Sequence, residues 1–303
     1  MSNAKKTAMI VAGACIAAGL LAVLAAMILI RFDVRRLNTV QFETKTYPVQ
    51  ESFRHIDIRD VDCDVRLLPS EDGQCRVVCT ESDRIINTVE VRSDTLTITR
   101  RDTRRWYERI SLWWGSGLTL TVYLPEQEYQ TLFLKTVSGD ISVPDDLAFA
   151  QAEISSTSGD ISFLGRTTGG LTIQSTSGEI EAGNASGGDV RVTAVSGDVR
   201  LSDVAARALN VKTTSGEIEL RSVVAEQGAD VQSTSGDVEF DRFDAGSIQI
   251  KTVSGEVEGS LLSSKAFETH TTSGEVRVPL SDPSAGACSV TTTSGDIKIE
   301  VKP

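Results

Sequence analysis

The sequence is short of the side chains on which most enzymes depend. Its 303 residues include only two histidines, His55 and His270, and 5% aromatic residues. It contains no Gly-x-Ser-x-Gly elbow, no phosphate-binding loop and no paired Cys/His motif. These absences predict that the protein is not an enzyme, and no catalytic, cofactor-binding or metal-ligating residue is assigned.

The chain also lacks a basic stripe. It has 30 Lys and Arg residues against 42 Asp and Glu residues, a net charge of −12. Residues 131–303 hold 13 basic and 25 acidic residues, so all of the excess acidity belongs to this part. Nucleic-acid binding needs positive charge that replaces counterions, so the composition predicts no nucleic-acid partner.

The sequence contains few cysteines, and their spacing does not determine whether they form a disulfide bond. Cys63, Cys75 and Cys79 lie on neighbouring predicted strands, and Cys15 and Cys288 lie far from them. A bridge from Cys63 to Cys75 or Cys79 is one interpretation for a protein outside the cytoplasm, and buried free thiols are the other.

What the chain has in abundance is one short motif, Ser-Gly-Asp/Glu, which occurs nine times between residues 138 and 296. Successive glycines are 19 to 21 residues apart. A fixed period near twenty is typical of a solenoid, and it is too short for propeller blades. We expect each repeat to turn at its glycine: Gly139, Gly159, Gly178, Gly197, Gly216, Gly236, Gly255, Gly274 and Gly295.

Around each glycine the residues alternate with a period of two. Positions seven and five before it are mostly apolar, and positions two and four after it are apolar again. Hydroxyl-bearing residues three and one before the glycine are expected to face inward and to bond each other in a ladder between coils. The residues between them, such as Lys212, Thr214, Gln232 and Thr234, are expected to face water. The pattern predicts an all-β fold, a parallel β-helix of about nine coils.

The remainder of the chain divides by composition. Residues 1–7 are a short polar leader, and residues 8–30 are free of charge and long enough to form a transmembrane helix. Residues 31–130 lack the Ser-Gly-acid motif and contain alternating strands, which predict an N-terminal β cap for the solenoid domain at 131–303. The charges flanking the apolar stretch are similar, so the orientation in the membrane stays open.

A segment rich in arginine and tryptophan spans residues 100–117. One interpretation is a loop whose rings pack over the end of the solenoid, and the other is a contact surface for headgroups, glycan or a partner protein. The candidate interaction residues are Arg104, Arg105, Trp106, Tyr107, Trp113 and Trp114.

The acid that follows each repeat glycine predicts a column of nine carboxylates. Calcium is the ion that such a column would attract, and capping of the turns is the simpler explanation. The column comprises Asp140, Asp160, Glu179, Asp198, Glu217, Asp237, Glu256, Glu275 and Asp296.

The tandem Thr-x-Ser-Gly-Asp/Glu-Ile/Val repeats, with the strand Leu118–Pro125 before the first, resemble the bacterial "putative adhesin" domain family of unknown function. The resemblance covers about residues 40–303. It implies a single-pass protein of the cell membrane that displays a β-solenoid outside the cytoplasm, and it supplies no catalytic residue.

From residues and resemblance together we expect a non-catalytic adhesion or structural surface that binds cell-wall glycan or an envelope protein. The alternatives are an accessory or sensor protein of an envelope-stress signalling system and, less well supported, a carbohydrate-active enzyme.

Overall fold

The structure is a computed structural model that describes residues 12–13, 16–19, 21, 42–103 and 118–302. Residues 12–13, 16–19 and 21 are helical. No helix among the described residues is long and apolar enough to cross a bilayer, and most of the predicted span at 8–30 lies outside them.

Among the described residues, the N-terminal part of the fold contains seven strands. These are β1 (Glu43–Val49), β2 (His55–Arg59), β3 (Cys63–Pro69), β4 (Cys75–Glu81), β5 (Ile85–Arg92), β6 (Thr95–Asp102) and β7 (Leu118–Leu124). Three pairings are antiparallel: β1 with β4, β4 with β7 and β5 with β6. The strands β2 and β3 instead stack in parallel on the repeats and form a coil of the solenoid. Antiparallel strands therefore cover the N-terminal end, where a solenoid would otherwise expose unpaired edges.

The repeats contribute sixteen strands. They are β8 (Glu128–Lys135), β9 (Ile141–Val143), β10 (Ala148–Ser158), β11 (Ile161–Phe163), β12 (Arg166–Ser177), β13 (Ile180–Gly183), β14 (Val190–Ser196), β15 (Val199–Lys212), β16 (Ile218–Gln232), β17 (Val238–Ala245), β18 (Ile248–Lys251), β19 (Val257–Leu261), β20 (Ala266–Ser273), β21 (Val276–Arg277), β22 (Ala287–Ser294) and β23 (Ile297–Val301). Every pairing among them is parallel, which confirms the predicted all-β solenoid of about nine turns.

Two long sheets meet at the glycine corner. The first sheet contains the strands before each glycine, in the order β5–β6–β2–β8–β10–β12–β14–β15–β16–β18–β22–β20. The second contains the strands after it, in the order β1–β4–β7–β3–β9–β11–β13–β15–β16–β17–β19–β23–β21. Because β15 and β16 each run through two sides of a coil, they belong to both sheets.

The core lies between the sheets and follows the predicted alternation. The strand β14, for example, buries Val190, Val192 and Ala194 and exposes Arg191. A stack of rings fills the side away from the glycine corner near the N-terminal end. Its centroids are 5.8–6.1 Å apart, and it contains Phe53, Tyr129, Phe149 and Phe163.

The final two repeats do not stack in chain order. The strands β22 and β23 insert between the coil of β18 and β19 and the coil of β20 and β21, so the last repeat in sequence is the second-last in space. The two repeats differ in their content of apolar side chains, which explains their order. Inserted β22 and β23 bury Cys288, Val290 and Ile297, whereas Val276 of the outermost coil is 39% exposed. The more apolar repeat thus occupies the position that is covered on both sides.

Candidate binding faces at the glycine corner

The repeat glycines lie one above another along a single edge of the solenoid. Seven of the nine have φ between +104° and +153°, and Gly255 and Gly274 are the exceptions. A Cβ on any of the nine would lie 1.9–2.4 Å from a backbone carbonyl oxygen of the neighbouring coil. Glycine is therefore required at the corner by the close approach of the coils as well as by its dihedral angles.

The predicted ladder of hydroxyl groups is wrong in its bonding partners. In most coils the hydroxyl three residues before the glycine is buried and donates to a carbonyl of the corner and not to another hydroxyl; Ser233, which has no partner among the described residues, is an exception. Thr136 donates to Ser138 O at 3.0 Å, and Thr252 donates to Gly236 O at 3.2 Å. At the corner, backbone carbonyl groups point away from the hydrogen-bond ladder of the sheet, and these hydroxyls donate hydrogen bonds to them.

The serine immediately before the glycine was also predicted to face inward. In the structure Ser158 and Ser177 are exposed, because the chain has already begun to turn at this position. The inward hydroxyl is therefore the one three residues before the glycine, and the coil of Gly197 has Ala194 there instead.

The acid after each glycine lies on the second sheet, and its aspartates have a defined role. Their carboxylates accept the backbone N–H of the acid on the next coil. Asp198 Oδ1 accepts Glu217 N at 2.9 Å, and Asp237 Oδ1 accepts Glu256 N at 2.7 Å. These hydrogen bonds cap the corner, as the simpler explanation predicts.

Basic side chains offset only part of the charge on this acidic face. Arg200 contacts Glu179, and its Nε lies 3.3 Å from Glu219 Oε2. Partial burial and the nearby carboxylates of Glu239, Asp198 and Glu219 raise the pKa of Glu217. Within the described residues, no group of three or more His, Cys, Asp or Glu side chains is arranged to hold a metal ion.

The first sheet carries a different surface, whose residues Lys212, Thr214, Gln232 and Thr234 were predicted from the sequence to face water. The outward residues four before each glycine pair in register from coil to coil and form one continuous line, the lysine column. In spatial order it contains Arg59, Lys135, Ser155, Gln174, Thr193, Lys212, Gln232, Lys251, Thr291 and His270. The residues are scattered over more than 200 positions in sequence, so the chain shows no basic stripe until it is folded.

A second line runs beside the lysine column, two residues before each glycine. This ridge is uncharged and β-branched throughout, and its valines are 42–49% exposed. In spatial order it contains Val61, Val137, Thr157, Thr176, Val195, Thr214, Thr234, Val253, Thr293 and Thr272.

Two shallow clefts open on the first sheet. One, of about 360 Å³, is lined by Lys212, Gln232, Thr234 and Lys251, among others. The other, of about 350 Å³, includes Asn210 and Asp230, whose side chains hydrogen-bond at 3.3 Å. The first sheet therefore offers hydrogen-bonding groups at a regular spacing, close to 4.8 Å per coil.

Arg104, Arg105, Trp106, Tyr107, Trp113 and Trp114 lie outside the described residues. Arg100, at the start of the same segment, is fully buried; its Nη1 lies 3.1 Å from Asp60 Oδ1 and 2.6 Å from Asp62 Oδ1.

The two histidines are far apart and do not form a common site. His55 lies in β2 and hydrogen-bonds Thr131 Oγ1 at 2.8 Å, whereas His270 is exposed on the outermost coil.

The cysteines in the described part of the chain are buried free thiols, in line with the second interpretation. Burial raises the pKa of Cys75, Cys79 and Cys288 to about 12, and it also raises that of Cys63. A thiol must ionise to act as a nucleophile, so these groups serve packing.

Solved structures similar to the chain include a putative lipid binding protein from Parabacteroides distasonis ATCC 8503, at 17% identity and a TM-score of 0.43, covering 72% of this chain and 96% of that one. Another is a putative adhesin from Bacteroides fragilis NCTC 9343, at 18% identity and a TM-score of 0.35, covering 86% of this chain and 97% of that one. No curated protein matches the chain.

A family model, described as Toastrack DUF4097, matches residues 53–187 and again residues 166–303. The two matches together span the leading coil and all nine repeats. The chain therefore belongs to the Toastrack DUF4097 family.

Proposed function

We propose that this protein is a non-catalytic binding protein of the cell envelope, which uses the first sheet of its solenoid to hold an extended polymer such as cell-wall glycan. The observation that carries the proposal is the unbroken register of the lysine column and its neighbouring ridge across ten coils. A polymer needs a long surface with repeated hydrogen-bonding groups, and a small substrate does not.

The proposed placement is a membrane anchor at residues 8–30 with the solenoid outside the cytoplasm. The uncharged run of 23 residues supports the anchor. Protease shaving of intact cells tests the orientation, and a protected solenoid would contradict it.

Binding is tested by sedimenting the full-length protein, solubilised in detergent, with purified cell-wall fragments. A photocrosslinking residue at Thr214, on the ridge, should label the cell-wall fraction. The same residue at Ser162, which is on the second sheet, is the matched control and should not. Labelling of membrane proteins from position 214 would favour the accessory or sensor role instead. Hydrolysis products in the same incubation would favour the carbohydrate-active enzyme.

A further inference from the structure

The lysines of the described chain fall into two groups. Four of them form ion pairs with carboxylates: Lys45 with Glu81, Lys265 with Asp244, Lys298 with Glu256 and Lys302 with Glu300. Lys135, Lys212 and Lys251 form no ion pair within the described residues, and all three belong to the lysine column. In a chain of net charge −12, acids are plentiful, so three unpaired lysines in one line need an explanation.

The composition of the lysine column also keeps its basic residues apart from acids. Its ten positions hold one arginine, three lysines and no acid, whereas the column after the glycines consists of acids alone. Of its four basic residues, Arg59 alone has an acidic partner within the described part of the chain, since it binds Asp57 at 2.9 and 3.0 Å. The column of lysines and the column of acids after the glycines therefore lie on different sheets. The acids of the first sheet, such as Asp230, which accepts a hydrogen bond from Gln232 Nε2 at 3.0 Å, lie in the next outward column, two residues further from the glycine.

From these observations we propose that the extended polymer bound by the first sheet is linear and carries anionic groups, carboxylates or phosphates, which the unpaired lysines contact. The inference rests on the proposed function and names the chemistry of its ligand.

The best-defined contact region is the cleft between Lys212 and Lys251. The two residues flank Gln232 in register, so their Cα atoms are about 10 Å apart, two coil spacings. Gln232 and Thr234 supply neutral hydrogen-bonding groups between them. Ser233 lines the same cleft, and its buried hydroxyl has no hydrogen-bond partner. Ammonium groups at this spacing suit anions carried at intervals along an extended chain.

The test measures binding of full-length protein in detergent to three immobilised polymers: polygalacturonate, poly(glycerol phosphate) and neutral dextran. The variant Lys212→Gln/Lys251→Gln should lose roughly tenfold in affinity for an anionic polymer at low salt, because two exposed charge contacts are removed. Wild-type binding should weaken as salt rises, since exposed charges are screened.

The matched control is Lys302→Gln, which removes an exposed lysine from the second sheet and should leave binding unchanged. The two anionic polymers distinguish carboxylate from phosphate as the bound group. Binding of dextran as tight as that of both anionic polymers, and insensitive to salt, would overturn the inference and leave the proposed function standing. Equal losses in the double variant and the control would also overturn it. Binding to none of these polymers or to cell-wall fragments would refute the proposed function itself.

Discussion

Gly216 lies in the middle of the column of corner glycines, and its replacement by alanine tests what holds the coils together. Its φ is +144°, and a Cβ there would lie 2.2 Å from Gly197 O on the neighbouring coil. Carbon and oxygen atoms in contact prefer separations nearer 3.5 Å, so the two coils must separate by about 1 Å at this point.

The cost of Gly216→Ala can be worked from the contacts that this separation disturbs. The backbone conformation alone costs an L-residue about 1–3 kcal/mol. Two hydrogen bonds join the two coils at this corner, from Gly197 N to Ser215 O at 3.0 Å and from Ser215 N to Val195 O at 2.9 Å. Each contributes about 1 kcal/mol, so the expected loss is roughly 4 kcal/mol.

Two other glycines separate the cost of backbone strain from the cost of the close approach between coils. Gly73 has φ +67° but nothing within 4 Å of its Cβ position, so Gly73→Ala should cost about 1–2 kcal/mol from strain alone. Gly170 has no positive φ, and its nearest neighbour is 3.8 Å away, so Gly170→Ala should change stability by less than about 1 kcal/mol. Urea denaturation followed by far-UV circular dichroism gives the three midpoints. A Gly216→Ala loss no larger than that of Gly73→Ala would refute the role of close coil approach.

Three further predictions concern buried polar groups. Burial raises the pKa of Glu81, but hydrogen bonds from Asn87 N, Tyr47 and Lys45 outweigh it and leave the pKa lowered. The stability that Glu81 provides is therefore present above about pH 4.3 and is lost as the pH falls through its lowered pKa. The difference in urea midpoint between wild type and Glu81→Gln should therefore become smaller in acid. A difference that does not change with pH would contradict this. Lys265→Met leaves the carboxylate of Asp244 without its partner and should cost about 3 kcal/mol, which Lys265→Met/Asp244→Leu should largely restore in the same denaturation assay. A thiol reagent should modify the cysteines of the described segments only after urea unfolding, and rapid labelling of the native protein would show that they are accessible.

The architecture could be predicted because it repeats. A corner glycine every 19 to 21 residues and a period-two alternation are local signals, and nine copies reinforce each other. The partners of the inward hydroxyls could not be predicted in the same way. Whether Thr252 donates to another hydroxyl or to Gly236 O depends on how far the corner carbonyls turn, which is a property of the folded coil.

The lysine column illustrates a second limit. Lys135 and Lys212 are separated by 77 residues in sequence, and the register of four successive coil contacts brings them onto one line. An alignment of the repeats on their glycines places both at the same position. It does not show that each lacks an acidic partner, because that depends on which residues stand beside them in space.

The spatial order of the last two coils agrees with a pattern in the acid column, the acids that follow the repeat glycines. In space, the column begins with two neighbouring aspartates, Asp140 and Asp160. From Asp160 onward, aspartate and glutamate alternate through Asp160, Glu179, Asp198, Glu217, Asp237, Glu256, Asp296 and Glu275. In each of the four pairs, the aspartate accepts the backbone N–H of the glutamate that follows it, at 2.7–2.9 Å.

The alternation has a physical cause in side-chain length. The shorter aspartate reaches the backbone of the next coil, while the longer side chains of Glu179, Glu256 and Glu275 extend outward to Arg200, Lys298 and Arg277. Neighbouring carboxylates are thereby held at different distances from the corner, which lessens repulsion between like charges on adjacent strands. In chain order the alternation fails at Glu256 and Glu275, and it is restored only if the repeat of Asp296 is placed between them. Exchanging the acids at positions 275 and 296 would set two glutamates side by side and leave an aspartate on the outermost coil with no N–H of a further coil to accept.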